Sequence, residues 1–99
     1  MNSIASIALS GLQAAQTQMS SSAHNIANAM TPGFRRQVVV PQAVASGGVT
    51  TTLGRSATAG DALAEDIVAM KLAGHLFTAN LKVLQTQDRM LGSLLDEHV

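Results

Sequence analysis

Small and apolar residues recur near the start of the chain at Ala5, Ala8, Leu12, Ala15, Met19, Ser22, Ile26 and Ala29. The steps alternate three and four, which is a heptad seam with one polar member, Ser22. A second stripe beside it holds Ile4, Leu9, Ala23, Ala27 and Met30. The spacing predicts a helix from about Asn2 to Met30. Gly11 lowers its helix propensity by about 1 kcal/mol relative to Ala. So many small residues let a neighbouring backbone come close. Pro32 ends the pattern, since it disfavours helical geometry at Thr31 and cannot donate a backbone hydrogen bond. Thr31-Pro32-Gly33-Phe34 reads as a type II turn, with Gly33 where φ must be positive.

A second heptad stripe runs through Leu63, Ile67, Met70, Gly74, Phe77, Leu81, Leu84, Asp88, Leu91 and Leu95, broken only at Gly74 and Asp88. It predicts a helix from about Asp61 to Leu95, roughly 50 Å long. Asp61 is placed to cap it, and Glu65 and Asp66 suit the positive end of its dipole. Asp96 and Glu97 oppose the negative end, so fraying is expected there. Between the helices the pattern changes. Val38, Val39 and Val40 are continuous and β-branched, and Pro41 restricts them to an edge or end. Ser46-Gly47-Gly48 signals a turn, and Val49 to Leu53 is again β-prone. The connection is either a short β-hairpin or an irregular loop. The expected fold is all-α dominated: an antiparallel two-helix coiled-coil hairpin of the N- and C-terminal helices. Its parts are 1–33, a helix and turn; 34–60, the connection; and 61–99, the long C-terminal helix. A helix that long cannot be wrapped on all sides by so short a chain, so partners are implied.

Composition narrows the function. Six basic residues balance six acidic ones, which argues against a nucleic-acid binder. Charged residues are 12%, about half of the roughly 25% usual in soluble domains. From Met1 to Phe34 there is no Asp, Glu, Lys or Arg. That stretch lacks the basic n-region of a secretory signal. Polar residues such as Gln13, Gln16, Thr17 and Ser20 interrupt it too often for a membrane span. Nor does it carry the Lys/Arg face of a membrane-surface helix. An uncharged segment of that kind is expected to be covered by protein on several sides. Aromatics are 2% and cysteine is absent, so stacking platforms, disulfides and thiolate sites are excluded.

Candidate chemistry is sparse. His24, His75 and His98 lack metal-ligand spacing, and polar helix positions account for them. Ser20-Ser21-Ser22 lacks a nucleophile elbow. Glu65 and Asp66 are adjacent and point to different faces, so they do not form an acid–base pair. Ser46-Gly47-Gly48 lacks the Lys-Ser/Thr of a phosphate loop. Arg35 and Arg36 are suited to the C-terminal carbonyls of the first helix or to an anion. Asn25 and Asn28, one turn apart before the turn, are either local caps or donors to a neighbouring chain. The reading has no catalytic residue, metal, cofactor or small-molecule substrate.

The segment from His24 to Arg36, with Asn25, Asn28, Thr31, Pro32, Gly33 and Phe34 at its centre, resembles the N-terminal motif of bacterial flagellar rod and hook proteins. Ser10-Gly11-Leu12-Gln13-Ala14-Ala15-Gln16 resembles the start of those proteins. Three C-terminal stretches are similar as well: Glu65-Asp66-Ile67-Val68 with Met70, Phe77-Thr78-Ala79-Asn80, and Gln85-Thr86-Gln87-Asp88-Arg89-Met90-Leu91. His75 stands where the family commonly has Arg, and Met30 where it has a polar residue. Only roughly 25 residues separate the matching ends, where the family carries a larger β-rich body. The resemblance implies a structural subunit of the basal-body rod. It would be exported by the flagellar type III apparatus without a cleaved signal. It would assemble with other rod or axial subunits, as a homo- or hetero-oligomer, through its terminal helices. Asn25, Asn28, Thr31, Pro32, Gly33 and Phe34 would form the assembly turn. Leu12, Met19, Ile26, Leu63, Ile67, Met70, Phe77, Leu81, Leu84 and Leu91 would form the seam. The alternative is a helical-hairpin adaptor or export-associated protein with rod-like ends.

Overall fold

The computed structural model describes residues 2–97. Helix α1 (Asn2–Ala27) is followed by strands β1 (Gln37–Ala43) and β2 (Val49–Arg55), then by helix α2 (Leu63–Glu97). The helices pack antiparallel and the strands form a two-stranded antiparallel hairpin. The connection is therefore the hairpin, not the irregular loop. The molecule measures 64 × 25 × 13 Å, the shape of a rod one helix pair thick.

The α-helix of α1 stops at Ala27, and tighter turns carry the chain on to Thr31. Ala29 N donates to Ile26 O at 3.2 Å and Thr31 N to Asn28 O at 3.0 Å. Such bonds satisfy carbonyls that an ending helix leaves without partners. Phe34 N then donates to Thr31 O at 3.3 Å, with Gly33 at φ +72°. Every member of the predicted α1 seam is buried or half-buried, with Ala8, Leu12 and Ala15 at its centre. Ser22, its polar member, is fully buried and accepts a hydrogen bond from Gln18 Nε2 at 3.0 Å.

The register of the two helices is constant. Asn25 meets Asp66, Gly11 meets Asn80, and Ile4 shares a groove with Gln87. A Cβ at Gly11 would lie 2.7 Å from Asn80 Oδ1, so the Asn80 amide would have to shift to admit a side chain at this crossing. This register corrects the predicted seam of α2. The inward line is Asp66, Ala73, Asn80 and Gln87 alternating with Met70, Phe77, Leu84 and Leu91, and all of these are buried or half-buried. Leu63, Ile67 and Leu81 are exposed instead, as are Leu95 and Asp88. The helix carries an apolar stripe beside the one it buries, and the small or polar character of Asp66, Ala73, Asn80 and Gln87 hid the true frame. In the same register α2 runs about eight residues, roughly 12 Å, past the start of α1. It continues through Glu97, so the fraying expected at Asp96 is not seen. Among the described residues Asp61 makes no capping bond; Asp66 N donates to Ala62 O at 2.9 Å at the helix start.

The hairpin lies along α1. Arg36 O accepts from Ser56 N and Gly48 O from Val44 N, so the even positions of β1 carry the ladder bonds. Pro41, opposite Thr51, falls at a position that makes none. That is how a proline sits within this strand. Gly47 and Gly48 adopt positive φ at the hairpin tip, where a Cβ on Gly48 would lie 2.8 Å from Ser10 Oγ.

Candidate assembly surfaces

Where the two helices and the hairpin meet, the sequence places four polar groups. The side chain of Asn25 is buried near the end of α1. Its Nδ2 donates to Gln37 O at 2.9 Å, and its Oδ1 accepts from Gln37 N at 2.8 Å. Gln37 is an odd position, so its main-chain groups point away from β2, and the asparagine amide supplies both missing partners. Asn25 Nδ2 also reaches Asp66 Oδ1 at 3.4 Å. Asp66, buried in the first turn of α2, takes a two-pronged contact from Arg36: Nε to Oδ2 at 3.0 Å and Nη2 to Oδ1. The carboxylate holds the Arg36 guanidinium above its ordinary range, chiefly through the hydrogen bond, against the opposing effect of burial. The result is a clasp joining α1, β1 and α2 at one end of the rod.

The clasp revises several expectations. Arg36 pairs with Asp66 and not with the carbonyls of α1. Arg35 Nε donates to Ser56 O at 2.6 Å across the hairpin base. Of the two asparagines, Asn28 is the local one: its Nδ2 donates to His24 O at 2.9 Å and its Oδ1 accepts from Thr31 Oγ1 at 3.2 Å. Phe34 folds back so that its ring meets His24 edge to face, centroids 5.4 Å apart. The turn residues Thr31, Pro32 and Gly33 are exposed. Asp66 and Asn80 were the residues that sequence reasoning missed. A basic residue just past the turn and an acidic pair opening the return helix were the available signal for Asp66.

Hydroxyl and amide side chains along both helices bond their own backbone. Thr17 Oγ1 donates to Gln13 O, Thr78 Oγ1 to Gly74 O, and Asn80 Nδ2 to Leu76 O. This lets long stretches do without charge. Much apolar surface stays uncovered. On one flank of α2, Leu72, Leu76, Val83 and Met90 form an exposed stripe; on the other lie Ile67, Leu81 and Leu95. Where α1 begins, an open groove of about 400 Å³ is walled by Ile4, Val83, Met90, Leu91 and Leu94. By length and composition alone α2 is also long and apolar enough to cross a membrane. Among the described residues no three His, Asp or Glu side chains gather as metal ligands; His98 lies outside them.

These features define an elongated helical hairpin, closed at one end by a buried polar clasp and bearing more apolar surface than one chain covers. A family model described as flagella basal body rod protein matches residues 6–35. The matched segment holds the inner face of α1 and the turn, and over that stretch the chain is similar to this family. No curated protein matches the chain.

Proposed function

We propose that this chain is a structural subunit of the flagellar basal-body rod, built in by packing the outer faces of its helices against neighbouring axial subunits. The observation that carries the reading is the family match over α1 joined to the uncovered stripes of α2. Contiguous apolar surface of this extent marks an interface. One stripe on each flank of α2 gives two different contact faces. Two unlike faces make a heterologous contact, which generates a helical tube when it does not close. The subunit acts by stiffening that tube and has no chemical step. Its place is the basal body, reached through the flagellar export apparatus. The test is co-purification with isolated basal bodies. Stable recovery there is expected; recovery only in the cytosol would favour the adaptor with rod-like ends.

A further inference from the structure

The two edges of the hairpin are unlike. On β1, Asn25 already occupies the outward groups of Gln37, and Pro41 removes the outward donor four residues further on. No run of consecutive outward N–H groups survives on that edge. On β2 the outward N–H of Val49 is taken by Ser10 Oγ at 3.1 Å. Thr51, Leu53 and Arg55 follow at the alternate positions whose N–H and C=O groups point away from β1. They offer three successive sites for a further strand.

Beside this open edge lies a slot of about 470 Å³ between Leu53 and the face of α1 turned away from α2. Its α1 wall includes Thr17, Ser20, Ser21 and His24. It carries no acidic or basic side chain apart from the histidine. Ser21 is 2% exposed, and among the described residues its Oγ has no hydrogen-bond partner. A buried hydroxyl without a partner is unfavourable, and nearly all such groups in folded proteins find one.

We infer that this slot receives an extended, uncharged segment of a neighbouring subunit, which adds to β2 as a third strand and supplies the partner of Ser21. The inference rests on the rod-subunit reading for the identity of the neighbour. The open edge calls for main-chain hydrogen bonding, which a helix cannot offer because its own groups are paired internally. The wall of hydroxyls and amides calls for polar, uncharged side chains, since a charge would lose its water there without gaining a counter-ion. A third strand also relieves the marginal stability of a two-stranded sheet.

The test uses the full chain in cells lacking their own copy. Leu53→Pro removes one outward N–H and leaves the ladder to β1 intact, as Pro41 does on the opposite strand. Leu53→Ala trims the side chain and keeps the N–H. Leu53→Pro is expected to lower incorporation into basal bodies at least about tenfold, and Leu53→Ala by less than about twofold. Ser21→Ala is expected to lower incorporation while leaving the melting temperature of the isolated chain unchanged or higher. In the incorporated wild type, the amides of Thr51, Leu53 and Arg55 are expected to exchange at least about tenfold more slowly than in the isolated chain. Full incorporation of Leu53→Pro, or unchanged exchange at those amides, overturns the third strand while the rod reading stands. A helix covering the slot would give that unchanged exchange. Absence of the wild type from basal bodies overturns both. Should Leu53→Pro fail to fold, the exchange measurement on the wild type decides.

Discussion

Asn25 does for the first residue of β1 what a neighbouring strand would do, offering one acceptor and one donor to a single main-chain unit. Aspartate has no donor and leucine has neither group, so the position is specific at the level of atoms. Arg36 and Asp66 depend on each other in the same way. Arg36→Gln leaves a buried carboxylate without its counter-charge and is expected to destabilise the chain by about 3 kcal/mol. The raised affinity of Arg36 for its proton fixes the sign of the pH dependence. Its contribution is full wherever pH lies below the ordinary guanidinium range and fades only as pH climbs through the raised value. The stability difference between wild type and Arg36→Gln should therefore stay flat from about pH 6 to about pH 9 in denaturant titrations. Gly33 poses a simpler problem. Nothing lies within 4 Å of where its Cβ would be, so the difficulty is φ +72° alone. Gly33→Asn should cost about 1 kcal/mol and Gly33→Val clearly more, because a β-branched residue tolerates positive φ least. Equal melting temperatures for the two variants would contradict this.

At the scale of elements, the two helices differ in how plainly they announce their inner faces. Along α1 the stripe through Ala8, Leu12, Ala15 and Ser22 lies inward, and the second apolar stripe, through Ile4, Leu9, Ala23, Ala27 and Met30, is exposed. Along α2 two apolar stripes adjoin, and half of the buried line is Asp66, Ala73, Asn80 and Gln87, which no hydrophobic count selects. The frame is set by partners instead: Asn25 for Asp66 and the gap left by Gly11 for Asn80. Those pairings join residues tens of positions apart, so local pattern did not carry them. The turn at Gly33 was legible because its chemistry lies within four consecutive residues. A pair of substitutions tests the corrected frame. Leu84→Asp puts a carboxylate on the inward line and should destabilise the isolated chain by several kcal/mol, on the order of 3. Leu81→Asp, at a side chain already 40% exposed, should change the melting temperature little and act on incorporation instead. Equal loss of helix signal in both would restore the frame read from periodicity.

The whole molecule is extended. Its Cα radius of gyration is 17.4 Å, against about 13 Å for a compact domain of 100 residues. Extension leaves a high share of surface to volume, and here that surface is apolar along most of α2. Isolated protein should consequently associate as its concentration rises. Leu94→Asp, in the groove wall where α2 outruns α1, should weaken that association without lowering the melting temperature measured in dilute solution. Sedimentation across a concentration series separates the two effects, and unchanged association would remove the groove from the contact surface. The apolar length that would let α2 cross a membrane is the same length that an axial structure would cover with its neighbours.

The clasp sits at one end of the helix pair only. Near it, three elements are pinned by an ion pair and by a buried amide. At the opposite end Ile4 meets the flank of α2 across an open groove. The molecule is thus built like a clothes-peg, with its spring at the turn and its jaws at the chain's beginning. Prying the jaws apart gives up a few van der Waals contacts, while prying at the spring exposes a buried carboxylate. Resistance to opening therefore falls from the clasp toward the tips, so a neighbour that wedges the tips apart leaves the pivot angle unchanged.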